Sequence, residues 1–271
     1  MELTTSTISL PAIEPHWVQE IRADQHLLPD IAHAVRGPFH VLFPACFPEN
    51  INAFRAALAD AGVEGEIYFG KKANKASCWL SSCAETNAGV DVASVPELVH
   101  TLGHGIRGGN VMITGAAKSE KLLWLAARHG CLIAVDALDE LERVISVARS
   151  NMMIRILLRV LPNINPYSRF GLSEIDLDHA LTRCSYERER VIMEGFSFHM
   201  NGYEIAPRVS LASDLVDRCV EARSRGLIAN SISIGGGFAI SYLDAADWRR
   251  FKENYQDSWF HGNKTFTHFY P

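Results

Sequence analysis

The chain has 271 residues and a formal net charge of -5, with 48% hydrophobic and 21% charged residues. This is ordinary globular composition, long enough for one large domain or two small ones with a sizeable core. No block of like charge suggests a nucleic-acid or anionic-membrane partner, and no stretch approaches the length of a transmembrane helix. The N-terminus lacks the basic-then-apolar pattern of a secretory signal. Six cysteines occur without CxxC spacing, which reads as free thiols in a reducing compartment, so a cytoplasmic location is expected.

Apolar, β-branched runs begin at Ile67, Gly89, Val111, Leu132 and Ile154, at intervals of about 22 residues, and each gap holds a helical pattern. Two more runs follow at longer spacing, Val191 to His199 and Asn230 to Ile234. Strands alternating with helices predict parallel pairing through right-handed crossovers. The regular period favours a (β/α)8 barrel, with a doubly wound open sheet as the alternative. Ser94-Val-Pro-Glu97 reads as a capping box, and Asp136-Ala-Leu-Asp139 as a looser version of one. Gly62, Gly103, Gly130 and Gly226 fall where helices should stop. Pro162-Asn-Ile-Asn-Pro-Tyr-Ser168 is a long connection and a candidate mobile segment of a site.

In a barrel, function gathers at the C-terminal ends of the strands. The first strand runs from Tyr68-Phe-Gly into Lys71-Lys72-Ala-Asn74. A primary amine at the end of a buried strand suits Schiff-base chemistry, because desolvation favours the nucleophilic, uncharged form. Alternation selects Lys72 over Lys71: Tyr68, Gly70 and Lys72 share one face, Phe69 and Lys71 the other. Asp91 lies near the end of the second strand. Arg155, Leu157 and Arg159 share a face of the fifth, where Arg159 needs an anionic or aromatic partner. Ser197 and His199 share a face of the sixth, between phenylalanines.

The seventh strand ends in Gly235-Gly-Gly-Phe238, where absent Cβ atoms would let several amides converge on an anion. These glycines fit neither GxGxxG nor the P-loop, and no zinc-type spacing appears, so no metal is expected. An amine, an imidazole, an arginine and a phosphate-ready glycine loop at one barrel mouth together suit a phosphorylated aldehyde, which describes pyridoxal 5'-phosphate.

With these residues in view, the sequence resembles the pyridoxal-phosphate-dependent group IV decarboxylases. These are the diaminopimelate, ornithine and arginine decarboxylases, built on the alanine-racemase-like barrel. The motifs that carry the likeness are Lys72-Ala-Asn74, Gly89 to Leu98, Ile113-Thr-Gly-Ala-Ala-Lys118, Ser168-Arg-Phe-Gly171, Gly195-Phe-Ser-Phe-His199 and Gly235-Gly-Gly-Phe238, within about residues 37–242. The resemblance implies that Lys72 holds the cofactor as a Schiff base and later handles a proton. It further implies that His199 stacks on the pyridine ring and that Gly235, Gly236 and Gly237 cradle the phosphate. Asp91 and Arg159 would lie close to the lysine and cofactor, and Arg169 would support the site or a dimer contact.

The implied reaction is decarboxylation of an amino acid, a small-molecule substrate, by a homodimer, with no nucleic acid and no membrane involved. A racemase on the same fold, a catalytically silent cofactor-binding protein and a Schiff-base aldolase are the alternatives. Two departures stand out. After His199 the chain reads Met200-Asn-Gly-Tyr203, where the family has a phosphate-facing serine. The chain also reaches Pro271 before the eighth strand and the β-rich second domain, which implies a barrel incomplete at its C-terminus. Residues 1–45 would then be a segment joining the β domain, and residues 46–271 the cofactor-binding barrel.

Overall fold

The computed structural model describes residues 9–148, 152–164, 167–200, 203–262 and 265. The chain forms two compact units: one from Phe43 to Gly236, the other from the segments before Phe43 and after Gly236. The second of these carries helices α1 (His16–Ala23) and α2 (Leu27–Val35) and an antiparallel bridge between Ala12 and Leu243.

The larger unit alternates strand and helix. After α3 (Phe47–Asp60) come β1 (Tyr68–Gly70), α4 (Ser77–Thr86), β2 (Gly89–Val92), α5 (Val95–Gly103), β3 (Val111–Ile113) and α6 (Glu120–Arg128). Then follow β4 (Leu132–Val135), α7 (Leu138–Val147), β5 (Ile154–Arg159), α8 (Glu174–Tyr186), β6 (Val191–Ser197), α9 (Ile205–Ser224) and β7 (Ser231–Ser233). The smaller unit closes with α10 (Ala245–Asn254), whose Trp248 and Phe251 rings stack with centroids 5.4 Å apart.

All seven strands are parallel and lie in strict chain order, β1 to β7. A doubly wound sheet reverses its order at a switch point. None occurs here, so that alternative is excluded. The result is a curled, incomplete barrel with its helices outside. Val90, Ile113, Ile133, Ile156, Leu158 and Phe196 belong to the main core, which they share with helix residues such as Leu98, Leu123 and Leu141. The opposite, concave face carries a small separate cluster of Met112, Leu132, Ala134 and Leu157, with Tyr68 packed on it. Side-chain alternation at period two explains the division.

Local sequence signals account for the boundaries. Ser119 and Ser173 accept hydrogen bonds from Leu122 and Asp176 amides and cap α6 and α8. Ser94 caps α5, accepting from the Glu97 amide, while the Glu97 carboxylate accepts from Ala93 one residue ahead of the expected capping-box partner. Asp136, in contrast, does not cap α7; the cap position is Ala137, with no side-chain bond.

One irregularity sets the face that β6 offers to the mouth. The β5–β6 register pairs Ile156 with Met193 but Leu157 with Gly195, leaving Glu194 as an extra residue in a bulge. Upstream of it the odd positions Val191 and Met193 join the helix-side core; downstream Phe196 and Phe198 do, which turns Gly195, Ser197 and His199 to the concave side. Gly195 has φ +150°, and a Cβ there would lie 1.8 Å from the Ser231 carbonyl oxygen, so the kink admits glycine alone.

Candidate active site at the strand ends

The two lysines after β1 have opposite environments. Lys71 is buried, at 1% exposure; its Nζ donates to the Lys75 carbonyl at 3.2 Å, and desolvation lowers its pKa. Lys72 is exposed. The desolvated amine expected at this strand end is therefore Lys71, not Lys72. The reason is the parity that places Lys72 on the concave face: Phe69 and Lys71 turn toward the helix layer, where Phe69 meets the rings of Phe47 and Trp79. Open space lies beside Gly70. The turn carrying Lys72 is held by the Ala73 amide donating to the Gly70 carbonyl, and by an ion pair from Lys75 to Glu97 at 3.2 Å.

Asp91 pairs with Gly70 across β1–β2 and accepts a 2.6 Å hydrogen bond from the Thr114 hydroxyl. Burial pushes its carboxyl up to about 6, against the Thr114 bond and the charges of Lys72 and Lys118, with Glu97 adding to the rise. Arg159, at the end of β5, donates from Nη1 to Asp136 at 2.7 Å and lies 5.0 Å from the centroid of the Phe170 ring. Both kinds of partner expected for it, anionic and aromatic, are thus present. His199 follows β6 on the exposed rim; desolvation lowers its pKa, and the charges of Lys72, Arg159 and Arg208 lower it further. Burial first, and then the three cations, favour the uncharged form of the imidazole.

Gly235 has φ +69°, and a Cβ on it would lie 2.6 Å from the Phe198 carbonyl oxygen and 3.0 Å from His199 Nδ1. Only glycine lets the loop come this close to the histidine. Arg208, buried in α9, donates to the carbonyls of Ile234 at 2.6 Å and Gly236 at 3.1 Å, fixing the loop's path. Gly237 opens the other compact unit.

The structure thus brings Lys72, Asp91, Arg159, His199 and Gly235 to one end of the concave face. Arg155 belongs to the other end, in a two-bond pair with Glu194 at 2.5 and 3.1 Å. Arg169 is exposed, with its guanidinium carbon 4.9 Å from the Phe170 centroid. The segment Pro162 to Ser168 and the run after His199 lie partly outside the described residues. Sequence reasoning missed Thr114, Asp136 and Arg208 as parts of the site. Thr114 sits in phase with the concave face of β3 and could have been found that way; a helical arginine such as Arg208 carries no such signal.

The donor set fits a phosphorylated pyridine aldehyde. Gly235 leaves a cradle that a single Cβ would fill, and the field around it is positive. Ser197, in register with Arg159, holds a buried hydroxyl with no hydrogen-bond partner among the described residues, a cost that a bound polar group would relieve. Among the described residues, no cluster of three metal-ligating side chains is found and no helix is long and apolar enough to cross a membrane.

Comparison with known proteins agrees with this geometry. An uncharacterized protein, y4yA, of Sinorhizobium fredii is 34% identical over 224 residues, covering 82% of this chain and 49% of that protein. A diaminopimelate decarboxylase of Zymomonas mobilis is 24% identical over 234 residues, covering 80% of this chain and 55% of the enzyme. The chain therefore spans about half the length of the curated relatives it matches.

Among solved structures, AQ1208 from Aquifex aeolicus superposes with a TM-score of 0.67 at 25% identity, covering 78% of this chain and 51% of that one. Lysine/ornithine decarboxylase complexed with cadaverine from Vibrio vulnificus shares the fold, with a TM-score of 0.69 at 20% identity over 87% of this chain and 61% of its own. The family profile described as "Pyridoxal-dependent decarboxylase, pyridoxal binding domain" matches residues 47–267. The chain belongs to the pyridoxal-dependent decarboxylase family.

Proposed function

We propose that this chain carries the cofactor half of a pyridoxal-5'-phosphate-dependent carboxy-lyase acting on an α-amino acid. Diamino acids are the first candidates, because the relatives include diaminopimelate and lysine/ornithine decarboxylases. The observation that carries the reading is the meeting of the Lys72 and Arg159 charges on the His199 imidazole, with Gly235 packed against the same ring. When bound, the cofactor supplies an electron sink for the charge left by departing CO2.

The chain's own residues do the rest. Lys72 holds the cofactor through its amine. Asp91, titrating near neutrality beside Lys72, can hold or release a proton there. His199 presents its ring to the cofactor's face, and Arg159 adds fixed positive charge. The amides of Gly235 and Gly236 receive the phosphate. A homodimer is proposed on the family likeness.

The test is borohydride treatment of protein incubated with pyridoxal 5'-phosphate, then digestion and mass spectrometry. A pyridoxyl group on Lys72, absent in Lys72→Ala, is expected. Attachment at Lys71 would overturn the assignment of the nucleophile, and an unmodified protein would end the cofactor reading. Incubation with candidate amino acids then separates CO2 release from loss of optical rotation, the sign of a racemase.

A further inference from the structure

We propose that Asp136 is a positioning residue that fixes the Arg159 guanidinium at the mouth of the site, and that its carboxylate serves this end rather than capping α7. This rests on the cofactor-site reading above for its functional meaning, but its geometry stands alone.

Asp136 follows β4 in phase with Leu132 and Ala134, which line the concave face. It is buried at 6% exposure and pairs with Arg159 at 2.7 Å. A carboxylate at a helix start ordinarily accepts from the first-turn amides. Here α7 takes no side-chain cap.

Asp136 is itself held from behind. Its backbone amide donates to Glu140 Oε2 at 2.9 Å, and that same oxygen pairs with Lys118 Nζ at 2.8 Å. Lys118 Nζ also donates to the carbonyls of Gly115 at 2.7 Å and Ala134 at 2.5 Å, while Arg143 Nη1 donates to the Lys118 carbonyl at 2.6 Å. Two loops, after β3 and after β4, are thereby tied into one support whose outermost carboxylate meets Arg159. The Phe170 ring covers the guanidinium at 5.0 Å. An arginine fork held at its edge and on its face has lost its rotamer freedom before any ligand arrives, so binding need not freeze it.

The primary test needs no ligand. In ¹⁵N-labelled full-length protein, rotation of the Arg159 guanidinium, its signal assigned by disappearance in Arg159→Lys, should be slow. Asp136→Asn should make it fast while the thermal midpoint stays close to that of the parent. Should the Asn protein not fold, Asp136→Ser is the second variant. Slow rotation persisting in either variant would overturn the proposal.

The functional reading is a double-mutant cycle on pyridoxal 5'-phosphate affinity, followed by absorbance. Asp136→Asn alone should weaken binding roughly tenfold, the scale of one charge-assisted hydrogen bond. The Asp136→Asn/Arg159→Lys pair should lose no more than the worse single variant; additive losses would overturn action through Arg159. A parent protein that binds no pyridoxal 5'-phosphate would sink the cofactor reading and leave the rotation measurement to decide this one.

Discussion

Two arginines four residues apart on the same face of β5 live in different regions of the molecule. At the base, Arg155 donates twice to Glu194 and reaches the carbonyls of Gly109 and Gly130, and the pair raises its pKa. Its fork is committed to joining strands. At the mouth, Arg159 has Asp136 as its one hydrogen-bond partner among the described residues and lies in register with Ser197, whose hydroxyl has no partner among those residues. One residue type on one strand face thus closes the structure at one end and leaves it receptive at the other. Partner count, not residue type, separates the two roles.

The comparison can be broken most forcefully from behind the mouth. Lys118 and Glu140 are 1% and 2% exposed in their side chains. Lys118→Met leaves the buried Glu140 carboxylate with Arg143, 3.9 Å away, as its remaining ion-pair partner among the described residues, and should cost about 3 kcal/mol in urea unfolding. A loss below about 1 kcal/mol, the scale of a surface pair, would show the support to be dispensable.

The two arginines themselves give the sharper contrast. Arg155→Met should destabilise by about 2 kcal/mol, since its pair is only part-buried, and should leave pyridoxal 5'-phosphate affinity close to the parent value. Arg159→Met strands the Asp136 carboxylate, 6% exposed, so it should cost at least about 2 kcal/mol, and unlike Arg155→Met it should also lower affinity by about tenfold or more. Equal affinity losses from both would erase the distinction drawn here.

The smallest effect concerns Asp91. Its folded carboxyl titrates at about 6 against an ordinary 3.8. Between these values the native state binds more protons than the unfolded one, so stability falls as pH rises through the window. Asp91→Asn should therefore stabilise the ligand-free protein above about pH 6 by on the order of 1–2 kcal/mol, and change little at pH 4. A gain that persists at pH 4 would assign the effect to something other than ionisation.

Most of the sheet was legible because each strand carries a dense β-branched run at a nearly constant period. The observed starts at Tyr68, Gly89, Val111, Leu132, Ile154, Val191 and Ser231 lie within one residue of the expected ones. Alternation also gave the faces of Lys71 and Lys72, because Phe69 is apolar and the strand is too short to drift. It did not give their burial: Lys71 found room and a carbonyl in the helix layer, which no pattern announces.

Asp136 was misread for a different reason. Asp-x-x-Asp before an apolar stripe looks alike whether the first carboxylate turns to its own helix or across the sheet, and only Arg159 on the neighbouring strand decides. The β6 bulge left a trace that pairwise alternation overlooks: the apolar residues are odd at Val191 and Met193, then even at Phe196 and Phe198.

That bulge makes position 194 a change of reading frame within a single strand. On its concave side, Glu194 serves the pair with Arg155 at the base, and Ser197 and His199 face the mouth. Removing Glu194 would leave Met193 and Gly195 consecutive opposite Ile156 and Leu157, so Phe196 and Phe198 would stay in the core and His199 at the mouth, while Arg155 would lose its carboxylate partner. A chain shortened by that one residue should keep its strands by circular dichroism and the reactivity of His199 toward diethyl pyrocarbonate, with a stability loss like that of Arg155→Met; loss of that reactivity would show that the faces had exchanged.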